Sequence, residues 1–483
     1  MAKSKKVLEQ KNPVYKNSID QWLFFDDSYN GGKQYIESGG NYLVKHKRES
    51  RALYDTRKER AFFINYCQAI IDTYKSHLNK ETPRVEVDAD GWEDFIEDVN
   101  RKNDSLVEFR HDIQVLSMVL GHTFVLVDKP NVESTTKADE IANGLPFFIH
   151  IPPWAILDWA LDDFGKPYWI KIAENDRSLE PDPFRLVKQS GGNVDTRGKT
   201  VFKYWFRDRW ERYNTDGNLI DTGVNPLGEV PLVIVLNRKS SVSQMVGVSA
   251  INDIAYINKR IYNLGSLIDE FAYMTAFPMI KTPVQMGQKG GGAEKIGTNV
   301  MFTYPDTAKH PPDWMSPPTE PMEFLSEQIV DSISEMHRLA RVEAGFDLRK
   351  RQNESGISKS FDWLSTSAVL SEKARNFEEA EGSMIRFWLK WQDDEKSKFE
   401  VKYADTFDVK TLEKDLDDVI TMQTMEISPT FEASELKHIV RKADPNLNEK
   451  ELKKIDDEID ESVEAKFEER AFIKDASRQT EES

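Results

Sequence analysis

A chain of 483 residues, 39% apolar and 11% aromatic, is long enough for roughly two to four domains and excludes a wholly disordered polypeptide. Its formal charge of −18 at pH 7 is opposite to that of a protein that grips DNA by its phosphates. The single cysteine excludes an intrachain disulfide and a cysteine-based zinc cluster.

The first fifty residues mix charge, glycine pairs and short amphipathic pieces. Met1-Ala-Lys-Ser-Lys-Lys6 is basic, but no apolar stretch follows it as a signal peptide requires. Ile19, Trp22, Leu23 and Phe24 predict a short docking helix, ended by Tyr29-Asn-Gly-Gly32. Helical spacing then runs from about Glu49 to Leu78 through Leu53, Phe62, Ile64, Ile70, Ile71 and Tyr74. Cys67, inside that run, reads as a small buried hydrophobe and not as a reactive thiol. Arg84-Val-Glu-Val-Asp88 alternates as a strand; Gly91 opens a helix with Trp92, Phe95 and Ile96, and another spans Leu106 to Leu120.

From there the period turns to two. Candidate strands are Thr123–Val127, Phe147–Ile151, Tyr168–Ala173, Val201–Arg207, Trp210–Asn214 and Leu232–Leu236, and Asn214-Thr-Asp-Gly217 supplies a hairpin turn. Helices followed by an antiparallel sheet make residues 1–245 an α+β region. No tandem repeat is visible. No apolar run approaches the ~20 residues of a membrane-spanning helix, so a soluble protein made in a cytoplasm is expected.

The middle of the chain changes character. Ile251, Ile254, Ile257, Ile261, Leu264, Ile268 and Phe271 step by three or four residues, predicting a helix over about Ser249–Ala276 with one narrow apolar stripe and Ser249 as its N-cap. Such a helix is roughly 40 Å long. A second, about Glu320–Ala344, starts at Pro321 and repeats the stripe with Met322, Leu325, Ile329, Ile333, Met336 and Leu339. Between them, 277–318 is rich in Gly and Pro, with two short β-like runs flanking a glycine hinge at Gly287, Gly290, Gly291 and Gly292. A third helix, about Ile357–Trp391, carries Phe361, Leu364, Ala368, Phe377, Met384, Phe387 and Trp391. The loop before it, Gly345 to Gly356, holds the consecutive cations Arg349, Lys350 and Arg351 with Gln352 and Asn353. A thin apolar seam needs neighbours along its whole length, as in an ordinary bundle, a coiled coil or a ring of like helices. Phe399-Glu-Val-Lys-Tyr403 reads as one more strand, and residues from Asp408 to Ala465 as acidic helices with turns at Ser428-Pro429 and Asp444-Pro-Asn446. The last dozen or so residues, ending Arg478-Gln-Thr-Glu-Glu-Ser483, read as a frayed end.

Paired long helices bracketing a small module, a polar loop, a long helix and an acidic helical tail resemble, in that order, a tailed-bacteriophage portal protein. Gly121-His-Thr-Phe-Val-Leu-Val-Asp-Lys-Pro130, Gly228-Glu-Val-Pro-Leu-Val-Ile-Val235 and Tyr54-Asp-Thr-Arg-Lys-Glu-Arg-Ala61 are similar to the same family. The resemblance covers most of the chain from about Ser50 onward and rests on segment order, not on a catalytic signature. It implies an α+β, portal-like fold: an N-terminal arm and wing over 1–245, a stem helix over 246–276, a clip over 277–318 and a second stem helix over 319–345. A tunnel loop over 346–356, a long helix and wing-completing strand over 357–405, and an acidic crown and tail over 406–483 would follow. It further implies a structural, non-catalytic ring, usually dodecameric, at the capsid vertex of a virion, synthesised in the host cytoplasm. Its partners would be double-stranded DNA held without sequence preference, the terminase large subunit, a head–tail connector, and major capsid and scaffolding proteins, with no membrane. Arg349, Lys350, Arg351, Gln352 and Asn353 would meet DNA phosphates, which carry no base information. Lys259 and Arg260, off the apolar stripe, would line the tunnel, and Lys281, Gln285, Lys289 and Lys295 the docking surface of the clip. The plainer explanation of the 349–351 run is a solvated charge cluster at a helix–helix turn.

Three chemical signatures fall short. Asn193-Val-Asp-Thr-Arg-Gly-Lys-Thr200 approximates a phosphate-binding loop, but Gly192 stands one residue too early and the residues after it read as strand where a helix is needed. A nucleotide-dependent enzyme or remodelling factor built on 193–200 is the alternative reading, and another helical virion adaptor or scaffold a third. Glu86 to Glu97 approximates a calcium loop but starts with Glu and has Glu93 where an apolar residue belongs. Gly247-Val-Ser-Ala-Ile251 lacks the second glycine of a nucleophile elbow. The eight histidines show no paired-ligand spacing, so no cofactor, metal or catalytic residue is expected.

Overall fold

A computed structural model describes residues 4–38, 41–130, 144–176, 188–189, 192–193, 199–276, 279–284, 301–305, 311, 313–315, 319–341, 356–394, 396–404, 407, 428–443 and 452–465. The chain divides into two units, Met1–Phe407 and Asp408–Ser483.

Local chemistry sets where the helices of the first unit begin. Asn12 accepts a hydrogen bond from the Val14 amide at 3.0 Å and Pro13 occupies the first turn, so Pro13–Asn30 starts there. Gly31, at φ +61°, lets the chain leave it. Ser105 accepts from the Glu108 amide while Glu108 accepts from the Ser105 amide, a reciprocal cap that starts Leu106–Leu120. The single helix expected over Glu49–Leu78 is two, Arg51–Arg60 and Tyr66–Leu78. Asn65 causes the break by accepting from the Gln68 amide at 2.9 Å and capping a new helix, which leaves Phe62 and Ile64 exposed. Cys67 is fully buried in the second of these, and burial pushes its thiol up to about 12.

The strands, in chain order, are β1 (Arg84–Val87), β2 (His122–Asp128), β3 (Phe147–Ile151), β4 (Ile156–Leu161), β5 (Pro167–Asp176), β6 (Lys188–Gln189), β7 (Gly192–Asn193) and β8 (Lys199–Phe206). They continue as β9 (Arg209–Asn214), β10 (Leu219–Val224), β11 (Leu232–Leu236), β12 (Met279–Val284), β13 (Met301–Pro305), β14 (Asp313–Met315) and β15 (Phe399–Lys402). In place of one antiparallel sheet there are two, ordered β11-β2-β3 and β10-β9-β8-β5-β4. The turn expected at Asn214–Gly217 joins β9 to β10, with Gly217 at φ +89° donating to the Asn214 carbonyl. Among the described residues β15 joins neither large sheet: it pairs with β1, in a two-stranded antiparallel ribbon. β6 and β7 form a further small antiparallel pair.

A long helix, Gly356–Lys390, lies across this assembly and buries Leu370, Ala374, Phe377, Met384, Ile385 and Trp388. The Trp388 ring meets Trp92 edge-on at 5.2 Å and Phe95 at 5.0 Å. Beside it Arg110, from Leu106–Leu120, makes a two-pronged contact to Glu381 with the shortest bond at 2.7 Å. The Tyr403 hydroxyl donates to the same carboxylate at 2.8 Å. Glu381 thereby ties three segments distant in sequence, and all three side chains are buried. In the second unit, Pro429–Ala443 and the helical residues 452–465 bury Ala433, Ile439 and Val463, and Lys437 pairs with Asp460 at 2.6 Å.

Removing one partner of a buried, hydrogen-bonded ion pair leaves the other charge stranded, at a cost of about 3–5 kcal/mol. Arg110→Ala is therefore expected to lower the unfolding free energy by that order in denaturant titration. A loss below about 1 kcal/mol would show that water reaches Glu381 in the folded protein.

Candidate functional site

The feature that most distinguishes this fold is a helix pair built on the base of the first unit. Two glycines place its root. Gly121, at φ +90°, and Gly247 approach so closely that a β-carbon on Gly247 would lie 2.0 Å from the Gly121 carbonyl oxygen. Gly247, read in sequence beside Ser249 as a failed nucleophile elbow, is thus a crossing point of backbones. Ser249 does not cap the helix: its hydroxyl donates to the Val119 carbonyl at 2.6 Å and accepts from the Ile251 amide at 3.0 Å, holding a turn. The outbound helix begins one turn later and spans Ile254–Thr275, 22 residues, roughly 33 Å.

The return helix, Glu320–Ala340, runs back beside it and ends at the base, where the Tyr74 hydroxyl donates to the Ala340 carbonyl. Arg341, at φ +52°, closes it, and Thr366 of the long helix donates to the Arg341 carbonyl. Between the two helices β12 pairs in parallel with β13 and antiparallel with β14, a three-stranded module. This is one strand more than the two runs expected from sequence.

Burial fades along the pair. Ile251, Ile254 and Ile261 are buried, whereas Leu264, Ile268 and Phe271 of the same stripe are half-buried. On the return helix Met336 and Ala340 are buried, and Met322 and Leu325 half-exposed. Large side chains are exposed on the outer halves, Leu267 at 45%, Tyr273 at 51% and Phe324 at 60%, and also toward the base, Tyr256 at 52% and Leu339 at 40%.

The face of the outbound helix roughly opposite its apolar stripe is fastened by polar side chains to the N-terminal segments. Asn258 accepts from the Tyr66 and Cys67 amides and donates to the Ile64 carbonyl at 2.9 Å. Asn263 accepts from the Val44 amide at 2.7 Å and donates to the Tyr42 carbonyl at 3.1 Å. Arg57, buried, donates to Ser266 at 2.9 Å, to the Val44 carbonyl at 2.8 Å and to both oxygens of Glu49 at 2.8 and 2.9 Å. One turn further out Arg60 pairs with Glu270 and lies 4.1 Å from the Tyr273 ring centroid. The hydrogen bond from Arg57 holds the Glu49 carboxyl below its ordinary value of 4.5.

The residues expected to act at the site are only partly described. Lys259, half-buried, lies 5.3 and 5.7 Å from the ring centroids of Tyr42 and Phe24. Arg260 is exposed and donates to Gln328 of the return helix at 2.8 Å. Lys281 pairs with Asp313 across β12 and β14 at 3.3 Å. Gln285, Lys289, Lys295, Arg349, Lys350, Arg351, Gln352 and Asn353 lie outside the described residues. Asn193 and Lys199 belong to β7 and β8, so the residues after the phosphate-loop-like segment form a strand in a sheet, with no helix N-terminus to hold an anion. Glu86 of the calcium-loop-like segment accepts from Arg84 at 2.7 Å, and among the described residues no group of three or more His, Cys, Asp or Glu is placed to hold a metal. Among the described residues no helix is long and apolar enough to cross a membrane.

No family model and no curated protein matches this chain. Among solved structures it is similar to a chain from the virion of a native gene transfer agent particle, at 8% identity and a TM-score of 0.38. It is also similar to one from the neck of an empty gene transfer agent particle, at 9% and 0.36. Each likeness covers 74% of this chain and 84% of the other.

A carboxyl whose folded value is depressed contributes stability that is present above its unfolded value and is lost as pH falls through the folded one. Protection factors of the outbound-helix amides, with the intrinsic pH dependence of exchange divided out, are therefore expected to fall as pH drops from 4.5 through the depressed range of Glu49, and Glu49→Gln to show part of that loss already at pH 7. Identical exchange in the variant and the parent across that range would remove Glu49 as the fastening.

Proposed function

We propose that this chain is a structural, ring-forming portal subunit of a tailed-phage-type capsid, forming the channel through which DNA is packaged and ejected. The observation that carries the reading is the helix pair whose apolar stripes lose burial outward and whose outer halves leave Leu267 and Phe324 exposed. A seam that one chain half-covers is completed when copies stand side by side in closed symmetry. The segment order described above supports the same reading, with the three-stranded module between the helices as the clip that would meet the terminase motor and later the head–tail connector. The charge of −18 suits a conduit, since DNA is repelled over most of the wall and contacted at few points.

Native mass spectrometry of the purified chain is expected to give a closed ring of high order, dodecameric by the family resemblance. Phe324→Asp combined with Leu267→Asp should shift the mass toward free subunits while the far-ultraviolet circular dichroism is kept. A monomeric or dimeric parent protein would end the reading. The contact of Arg349 and Arg351 with DNA is tested separately. Reversing both charges should impair DNA packaging or retention in assembled particles without altering the ring mass, and unaltered packaging rejects that role for the loop.

A further inference from the structure

A cleft of about 940 Å³ opens beside β11, at the upper end of the ~300–1,000 Å³ usual for binding pockets. Its floor is Leu232, Val233, Ile234 and Leu236, and its walls are the turn between β4 and β5 and one face of the long helix. Among the described residues β11 is an edge strand, with β2 on one side and no strand on the other. The ladder says which backbone groups face the open side. Val127 donates to the Pro231 carbonyl and Asn237 to the Gly121 carbonyl, so positions 231, 233, 235 and 237 are the ones hydrogen-bonded toward β2. The amides and carbonyls of Ile234 and Leu236 therefore point away from β2, and among the described residues no hydrogen bond reaches them.

The cleft is positive on a strongly negative protein. Arg207 pairs with Asp162, Lys239 with Glu379 at 3.6 Å and Lys390 with Glu229 at 2.7 Å. Lys166 and Arg386 stand beyond these pairs, both exposed and both close enough to act on Glu229. Burial raises the Glu229 carboxyl, but the Lys390 hydrogen bond and the charges of Lys390, Arg386 and Lys166 outweigh it and leave it below its ordinary value. Phe164, 89% exposed in the β4–β5 turn, adds an apolar contact on the rim. Because the free edge lies inside a cleft, the walls obstruct edge-to-edge pairing with another whole sheet, whereas a single extended strand fits.

We propose that this cleft receives an extended, acidic segment of a partner protein, which adds as a strand to the free edge of β11 and seats a carboxylate between Lys166 and Arg386. Backbone hydrogen bonds to Ile234 and Leu236 hold the guest, and the cations select it. The five residues of β11 match a guest stretch of about five residues, roughly 17 Å.

The probe is a library of fluorescein-labelled nonapeptides alternating Val, Ile or Thr with Asp or Glu, passed over the immobilised full chain. A matched library with Lys in place of the acids is the control. Acidic peptides should be retained saturably, and exchange at the Ile234 and Leu236 amides should slow on binding. Lys166→Glu with Arg386→Glu should weaken retention at least about tenfold. N-methylation along one edge of a retained peptide should abolish binding, and this arm needs no change in the protein. Failure of the parent chain to retain acidic peptides, equal retention of the basic library, or indifference to N-methylation each overturns the proposal. None of these outcomes depends on whether the chain forms a ring.

Discussion

A buried guanidinium fastens the outbound helix to the N-terminal segments. Arg57 spends its donors on Glu49, Ser266 and the Val44 carbonyl, so a charge removed from water keeps its hydrogen bonds. Without that fastening, the middle of the outbound helix would lose the one buried charge that ties it to Glu49 and the Val44 carbonyl. Asn258 adds hydrogen bonds to the backbone at the start of Tyr66–Leu78, and Asn263 to the backbone of the loop at Tyr42 and Val44. Direction is the gain: dispersion contacts along a seam permit sliding by a turn, whereas matched donors and acceptors permit one register.

Much of the fold was legible because periodicity is a direct record of which face is buried. Phe147–Ile151 and Leu232–Leu236 were read with the bounds the structure shows, and the three long helices to within five residues at their ends. Where reading failed, polar residues carried the structure. Ile156–Leu161 was missed because Asp158 breaks its pattern, yet that carboxylate is buried and accepts from Asn12 and from the Trp159 amide. The second face of the outbound helix was missed for the same reason: Asn263 and Ser266 in a helix read as solvent-facing. Nothing in sequence marked the cleft at β11 either, since its walls come from segments more than two hundred residues apart.

The motif-like stretches show the converse error. A loop with glycine and lysine, an acidic loop with a central glycine, and a glycine before serine each invited a chemical role. In the structure Lys199 starts a strand, Glu86 is engaged with Arg84, and Gly247 is small because Gly121 passes beside it. A short motif specifies residue types at a spacing, and chemistry needs their atoms to converge. Local strand or helix geometry decides convergence before any ligand arrives.

Charge then separates the two surfaces described here. A chain at −18 repels its own copies, so association along the helix pair needs an apolar term large enough to exceed that repulsion. Fully burying one exposed Phe or Leu contributes about 1.5–3 kcal/mol, so in the proposed ring several such side chains per subunit, repeated at every interface, would supply it. The cleft at β11 works in the opposite sense, because its surplus cations attract acidic chains. In an acidic protein the two proposed kinds of recognition would therefore not compete for the same partner: like copies would meet where charge is diluted by apolar side chains, and an acidic segment would enter where the cations are gathered.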